Sequence, residues 1–195
     1  MMNWILSLPT WMMIRVIGLS AYGFLFLGTS SGVLHSMPGW TAVTKRRMYN
    51  FHSWSNGIGL GLAILHTLLL IIDTYAPFQW TEVLVPFAAP QHPILNGLGT
   101  LALYGSLIVL FTTDLRNRIN RRTWHLIHML AYPIFIAALV HGIGVGTDTK
   151  EPLISAMYWA TGAAVLLLTV VRVAAHEKRP DTRSNGEPQH ARQSV

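Results

Sequence analysis

Cysteine is missing from the chain altogether. That excludes disulfides, thiolate metal sites, iron–sulfur clusters and the covalent C-x-x-C-H attachment of a c-type haem. Charge is nearly as scarce, at 11% DEKR in 195 residues against 51% AVILMFWYC. A soluble domain carries roughly a quarter charged residues, so this balance points to lipid. The eight carboxylates lie outside the apolar runs or at their ends. No Ser-His-Asp set, zinc motif or pair of catalytic carboxylates falls within a run, and hydrolysis is not expected. The length leaves no room beside a membrane bundle for a nucleotide-binding module of ~100 residues or more.

What is present is a series of five apolar runs, near Trp11 to His35, Asn50 to Ile72, Pro93 to Thr113, Trp124 to Val145 and Leu153 to Ala174. Each approaches the ~20 residues needed to cross a bilayer. The first begins too late and runs too long for the apolar core of a cleaved signal peptide, and it reads as a retained helix. The sequence therefore predicts an all-α, multi-pass membrane helix bundle with five transmembrane helices over residues 1–175. Residues 176–195, polar and nearly free of apolar side chains, are expected to form a disordered cytoplasmic tail.

Lys45, Arg46 and Arg47 follow the first run, Arg116, Arg118, Arg121 and Arg122 follow the third, and Lys178, Arg179, Arg183 and Arg192 follow the fifth, while the other two loops hold only Lys150. Short cytoplasmic loops collect Lys and Arg, so the N-terminus is expected outside and the C-terminus inside a cell membrane. The same placement accounts for the net charge of +6 without nucleic acid. Trp11, Trp80, Trp40, Trp54 and Trp124 fall at the expected interfaces. An apolar stretch from Val83 to Ala89, too short to span, is expected to lie in the outer interface or cap the bundle mouth.

Ionisable groups within membrane helices are rare and are functional candidates by default. Four histidines qualify, His52 and His66 on the second run, His128 and His141 on the fourth. The intervals of fourteen and thirteen residues correspond to about 21 and 19.5 Å along a helix. His52 and His128 then share an inner depth, and His66 and His141 an outer one. Two imidazoles on opposite faces of a porphyrin give a six-coordinate haem suited to electron transfer, so the pattern reads as two stacked haems. His52 and His66 lie only ~40° apart around their helix, whereas His128 and His141 lie ~140° apart, which requires a bend for which Pro133 supplies a reason. His125 competes with His128 for the inner position.

Gly59, seven residues from each histidine of the second run, serves either close approach of a flat macrocycle or helix packing. Arg15 at the outer end is a candidate partner for a haem propionate, or else snorkels to water. Arg46, Arg47 and Arg122 have the same possibility at the inner end. Phe51, Trp54, Tyr132 and Phe135 are candidate neighbours of porphyrin, with packing as the alternative. Asp148 is expected to cap the turn before the last helix, with a cationic acceptor as the other option, and His92 is expected to be solvated, with a place near the outer acceptor as the alternative.

The runs RRMYNFHSWSNGIGLGLAILHTLLL and TWHLIHMLAYPIFIAALVHGIGVGTDT, with Trp124, His128, Tyr132 and His141 in the second, resemble the ferric reductase-like transmembrane domain, the membrane core of NADPH oxidases and ferric reductases. The resemblance extends over roughly residues 12–175. It implies haem b, expected twice, held by His52, His66, His128 and His141, with a rise in the standing of Tyr132. It also implies an electron-transfer subunit of a membrane oxidoreductase. The donor would be a separate cytoplasmic flavoprotein reductase or a membrane quinol, and the outer acceptor ferric iron or a partner redox protein. The rival readings are a His-lined metal-ion or proton transporter, which predicts acidic partners near the imidazoles, and a quinone-linked haem anchor subunit.

Overall fold

A computed structural model describes residues 9–177. The tail from 178 onward, with Lys178, Arg179, Arg183, His190 and Arg192, lies outside the described residues, as does the side chain of His176. The described chain is helical with short connections: α1 (Thr10–Ser36), α2 (Ala42–Ile72), α3 (Trp80–Leu84), α4 (Pro93–Asp114), α5 (Arg121–Met129), α6 (Ala131–Val145), a 3₁₀ turn (Thr147–Lys150) and α7 (Pro152–Glu177). Among the described residues five helical segments are long and apolar enough to cross a membrane, α5 and α6 forming one of them.

The helices begin and end where the chain's chemistry dictates. Thr41 accepts the Thr44 N–H at the start of α2, Asn120 accepts the Arg122 N–H at the start of α5, and Pro93 opens α4, where its missing N–H costs nothing. In α3 the Gln79 and Glu82 side chains cap each other's backbone N–H groups. In the fourth span, where a bend is expected, the helix is interrupted for one residue at Leu130, whose backbone stays in the right-handed helical region. Pro133 has no N–H to give to the carbonyl four residues earlier, at Met129, so the ladder is interrupted there.

α1 packs along α2, and α4 along α6. Both pairs are antiparallel, as Ile14 meets His66 while Gly28 meets His52, and Leu95 meets His141 while Gly105 meets Ile134. α7 leans on α1 and α6, where Tyr22, Phe135, Tyr158 and Val165 form the buried core. The Tyr22 ring lies 5.9 Å from Phe135 and 4.8 Å from Tyr158, and its hydroxyl is 2.6 Å from that of Thr161. Large apolar side chains such as Phe111, Leu126, Leu166 and Leu167 are exposed along the spans, as a lipid-facing surface requires.

This topology gives two chemically different ends. One carries Lys45, Arg46, Arg47, Arg116, Arg118, Arg121 and Arg122, and Arg116 donates to the Tyr49 hydroxyl at 2.9 Å to join the two basic turns. The opposite end carries Asp73, Glu82, Asp148 and Glu151. There the Thr10 hydroxyl donates to Asp73 at 2.5 Å, tying the start of α1 to the end of α2. α3 joins the start of the stretch expected to lie in the interface or cap the mouth to α4. The Val83 and Leu84 carbonyls accept from Thr100 and Tyr104 of α4.

Candidate functional site

Between the α1–α2 and α4–α6 pairs runs a cavity of about 980 Å³, at the large end of the range for small-molecule and cofactor sites. Its walls include His52 and His66 from α2, His128 from α5 and His141 from α6. It extends from Glu82, His92 and Asp148 at the acidic end to Tyr49, Arg116 and Arg172 at the basic end.

Three of the imidazoles are seated in the same way. His66 Nδ1 donates to the Ile14 carbonyl at 2.9 Å, His52 Nδ1 to Gly28 at 2.7 Å, and His141 Nδ1 to Leu95 at 2.9 Å. Each ring lies over a glycine four residues beyond its acceptor: a Cβ at Gly18, Gly32 or Gly99 would come within 2.9, 2.8 or 2.6 Å of the ring. A helical side chain leans toward the preceding turn, so its removal uncovers the carbonyl at i−4. Donation through Nδ1 fixes the tautomer and leaves Nε2 with its lone pair free for a metal. Asn56 steadies His52 further, its amide donating to the His52 carbonyl at 2.8 Å.

His128 is seated differently. Its ring stacks on Trp124 with centroids 5.1 Å apart, and His52 approaches edge-on at 6.0 Å. Its Nδ1 is buried and has no partner among the described residues. Two metal–nitrogen bonds of ~2 Å with the half-widths of both rings place such centroids about 6 Å apart, so this pair fits a metal held between them. His66 and His141 line the cavity toward its other end. His125 is exposed beside Trp124. Among the described residues no three His, Cys, Asp or Glu converge as a metal-ion site.

The remaining sequence candidates separate cleanly. Arg15 borders the cavity and forms a two-pronged ion pair with Asp148, its Nε 2.6 Å from Oδ2. Asp148 was expected to cap a turn; a cation at a membrane end needs a counter-charge more than the turn needs a cap. Tyr132 borders the cavity and accepts from Arg172 at 2.8 Å. Gly59 is packed on α1, where a Cβ would stand 3.2 Å from Phe24 Cβ, and it also borders the cavity. Phe51 and Trp54 are exposed, while Phe135 belongs to the core. His35 sits by the Lys45 carbonyl at 3.0 Å.

Sequence reasoning missed Arg172, although a lone arginine inside an apolar run carries the same signal as the membrane histidines. It also missed Gly18, Gly32 and Gly99. The first two are fourteen residues apart, matching the histidine interval on α2, and that match was the available signal.

Fold and site together define a multi-pass membrane helix bundle with four imidazoles bordering a central cavity. A family model described as "Ferric reductase like transmembrane component" matches residues 15–139, and the chain belongs to that family. It is 28% identical over 171 residues to the "Protein-methionine-sulfoxide reductase heme-binding subunit MsrQ" of Rhodospirillum rubrum, covering 85% of this chain and 76% of that protein. No solved structure matches.

Proposed function

We propose that the chain is a di-haem b electron-transfer subunit that carries electrons across the membrane, from its basic face to the opposite one. The observation that supports this reading is that four imidazoles border one cavity, with the His52 and His128 rings 6.0 Å apart. His52 and His128 would hold one haem and His66 and His141 the other; the spacing to His52 favours His128 over His125. Held by these imidazoles, haem would supply one-electron chemistry.

The chain's own contribution is positional. Ile14, Gly28 and Leu95 orient three rings through Nδ1. The walls present more apolar than polar surface, which strengthens the electrostatic influence of neighbouring groups. At the basic end Arg172 is held toward the cavity by the Tyr132 hydroxyl, a cation suited to an anionic propionate. At the other end Arg15 is already paired with Asp148, so its partnership with a propionate requires the guanidinium to be shared between the two carboxylates.

The positive-inside rule assigns the basic end to the cytoplasm. The donor there is a separate flavoprotein reductase or a membrane quinol, and the acceptor across the membrane is ferric iron or a partner redox protein. The relative's description as a heme-binding subunit supports a divided system. The test is the absorption spectrum of the purified chain, reduced against oxidised, with haem counted per chain. Low-spin bands at two haems per chain are expected; one haem removes half of the proposal, and none favours a transporter.

A further inference from the structure

The seating of the imidazoles follows a repeat. On α1 the acceptors Ile14 and Gly28 are fourteen residues apart, as are the glycines Gly18 and Gly32 and the histidines they serve. On α4, Leu95 and Gly99 serve His141, and the same fourteen-residue step leads to Val109 and Thr113. Both border the cavity. At this fourth position the sequence has Thr113 in place of a glycine, and the Thr113 hydroxyl donates to the Val109 carbonyl at 2.7 Å. The histidine left over is His128, whose Nδ1 is buried without a partner among the described residues.

We propose that Gly18, Gly32 and Gly99 are positioning residues that lock His66, His52 and His141 with Nε2 toward the cavity, and that Thr113 denies His128 the same anchor, making the His52–His128 site the weaker haem site. This rests on the ligand assignment above. General small-residue packing does not account for the three glycines, because what each would strike is an imidazole, whereas a Cβ at Gly23, Gly57 or Gly61 meets nothing within 4 Å. An Nδ1–H to carbonyl bond raises the basicity of the ligating nitrogen, and loss of such outer-shell partners typically weakens metal binding 10–100-fold. The two sites are thereby unequal by construction.

The experiment follows haem loss from the purified full chain to excess apomyoglobin. Two phases of equal amplitude are expected, the faster from the His52–His128 site. His66→Ala, retaining that site, should show the fast phase alone, and His52→Ala the slow one. Gly99→Ala should accelerate the slow phase about 10–100-fold, Thr113→Gly should slow the fast phase, and Gly23→Ala should change neither. Potentials separate positioning from mere loosening of the bundle. In a His52→Ala background, Gly99→Ala should raise the remaining midpoint, by about 59 mV for each tenfold loss of preference for the oxidised iron.

Haem lost at one common rate from wild type, or Gly99→Ala indistinguishable from Gly23→Ala, overturns the proposal. So does faster loss at an unchanged midpoint. If His66→Ala keeps both haems, the ligand assignment itself has failed. If it loses one while the glycine variants behave as wild type, only the notch proposal has failed.

Discussion

Substituting the four histidines in pairs gives the sharpest test of the site. His52 and His66 are fourteen residues apart on α2, about 21 Å at the helical rise. Sites separated by more than 7–10 Å without shared partners generally behave independently, and the rings use different acceptors, Gly28 and Ile14. Each single His→Ala variant should therefore hold one haem per chain in place of two. A second substitution within the same pair, His66→Ala with His141→Ala or His52→Ala with His128→Ala, should remove nothing further. A substitution across pairs, such as His52→Ala with His141→Ala, should leave none. The assay is haem per chain from the pyridine haemochrome, with the reduced-minus-oxidised band as a second readout. A cross-pair variant retaining one haem, or a same-pair variant retaining none, would refute the pairing. His125→Ala should keep both haems.

Three further outcomes follow from the packing. Arg15→Ala and Asp148→Ala should each lower the melting temperature in detergent, and the double variant should be no worse than the worse single. A coupling of about 0.5–3 kcal/mol is typical of directly paired groups, and strict additivity would dissolve the ion pair. Phe135, at 2% exposure between Tyr22 and the α7 core, should cost about 3 kcal/mol as Phe135→Ala, read from denaturation in mixed micelles. Burial by itself would raise the Asp73 carboxyl, but the Thr10 hydroxyl and the N–H groups of Ala76, Tyr75 and Thr74 outweigh it and hold the group below its ordinary 3.8. With the folded value depressed, the contribution is complete above the unfolded value and disappears as pH falls through the folded one. Asp73→Asn should thus be less stable than wild type at pH 7, with the gap closing on acidification below about pH 4; a pH-independent gap would contradict this.

The helices were legible where hydropathy alone sets them. The first and third spans begin and end within a residue or so of expectation, at Thr10–Ser36 and Pro93–Asp114. α2 starts at Ala42, eight residues before the expected Asn50. Its first turns carry Lys45, Arg46 and Arg47, which an apolar window rejects although a helix with a Thr41 cap accommodates them. Four histidines bordering one cavity were readable from interval and depth. Their anchors were not, since those are backbone carbonyls 24 to 52 residues away, and a carbonyl carries no sequence signature. The Arg15–Asp148 pair, 133 residues apart, is likewise a product of topology.

Gly59 shows how the two layers of the site depend on each other. It is buried midway between His52 and His66, and its α carbon faces Ala21, Phe24 and Leu25 of α1. α1 also supplies both carbonyls that anchor the α2 histidines. A bulky residue here would push the two helices apart at the midpoint and lift both rings from their acceptors together, whereas Gly18→Ala disturbs His66 alone. Gly59→Leu is therefore expected to weaken both haem sites, while Gly59→Ala, meeting Phe24 Cβ at 3.2 Å and the Leu25 nitrogen at 3.4 Å, needs a shift of a few tenths of an ångström and should weaken both slightly. Haem counts and loss rates for the two variants, set beside Gly18→Ala, measure this. If Gly59→Leu empties one site and spares the other, Gly59 acts by giving space to a cofactor, and the α1–α2 contact is not what holds the histidine pair in register.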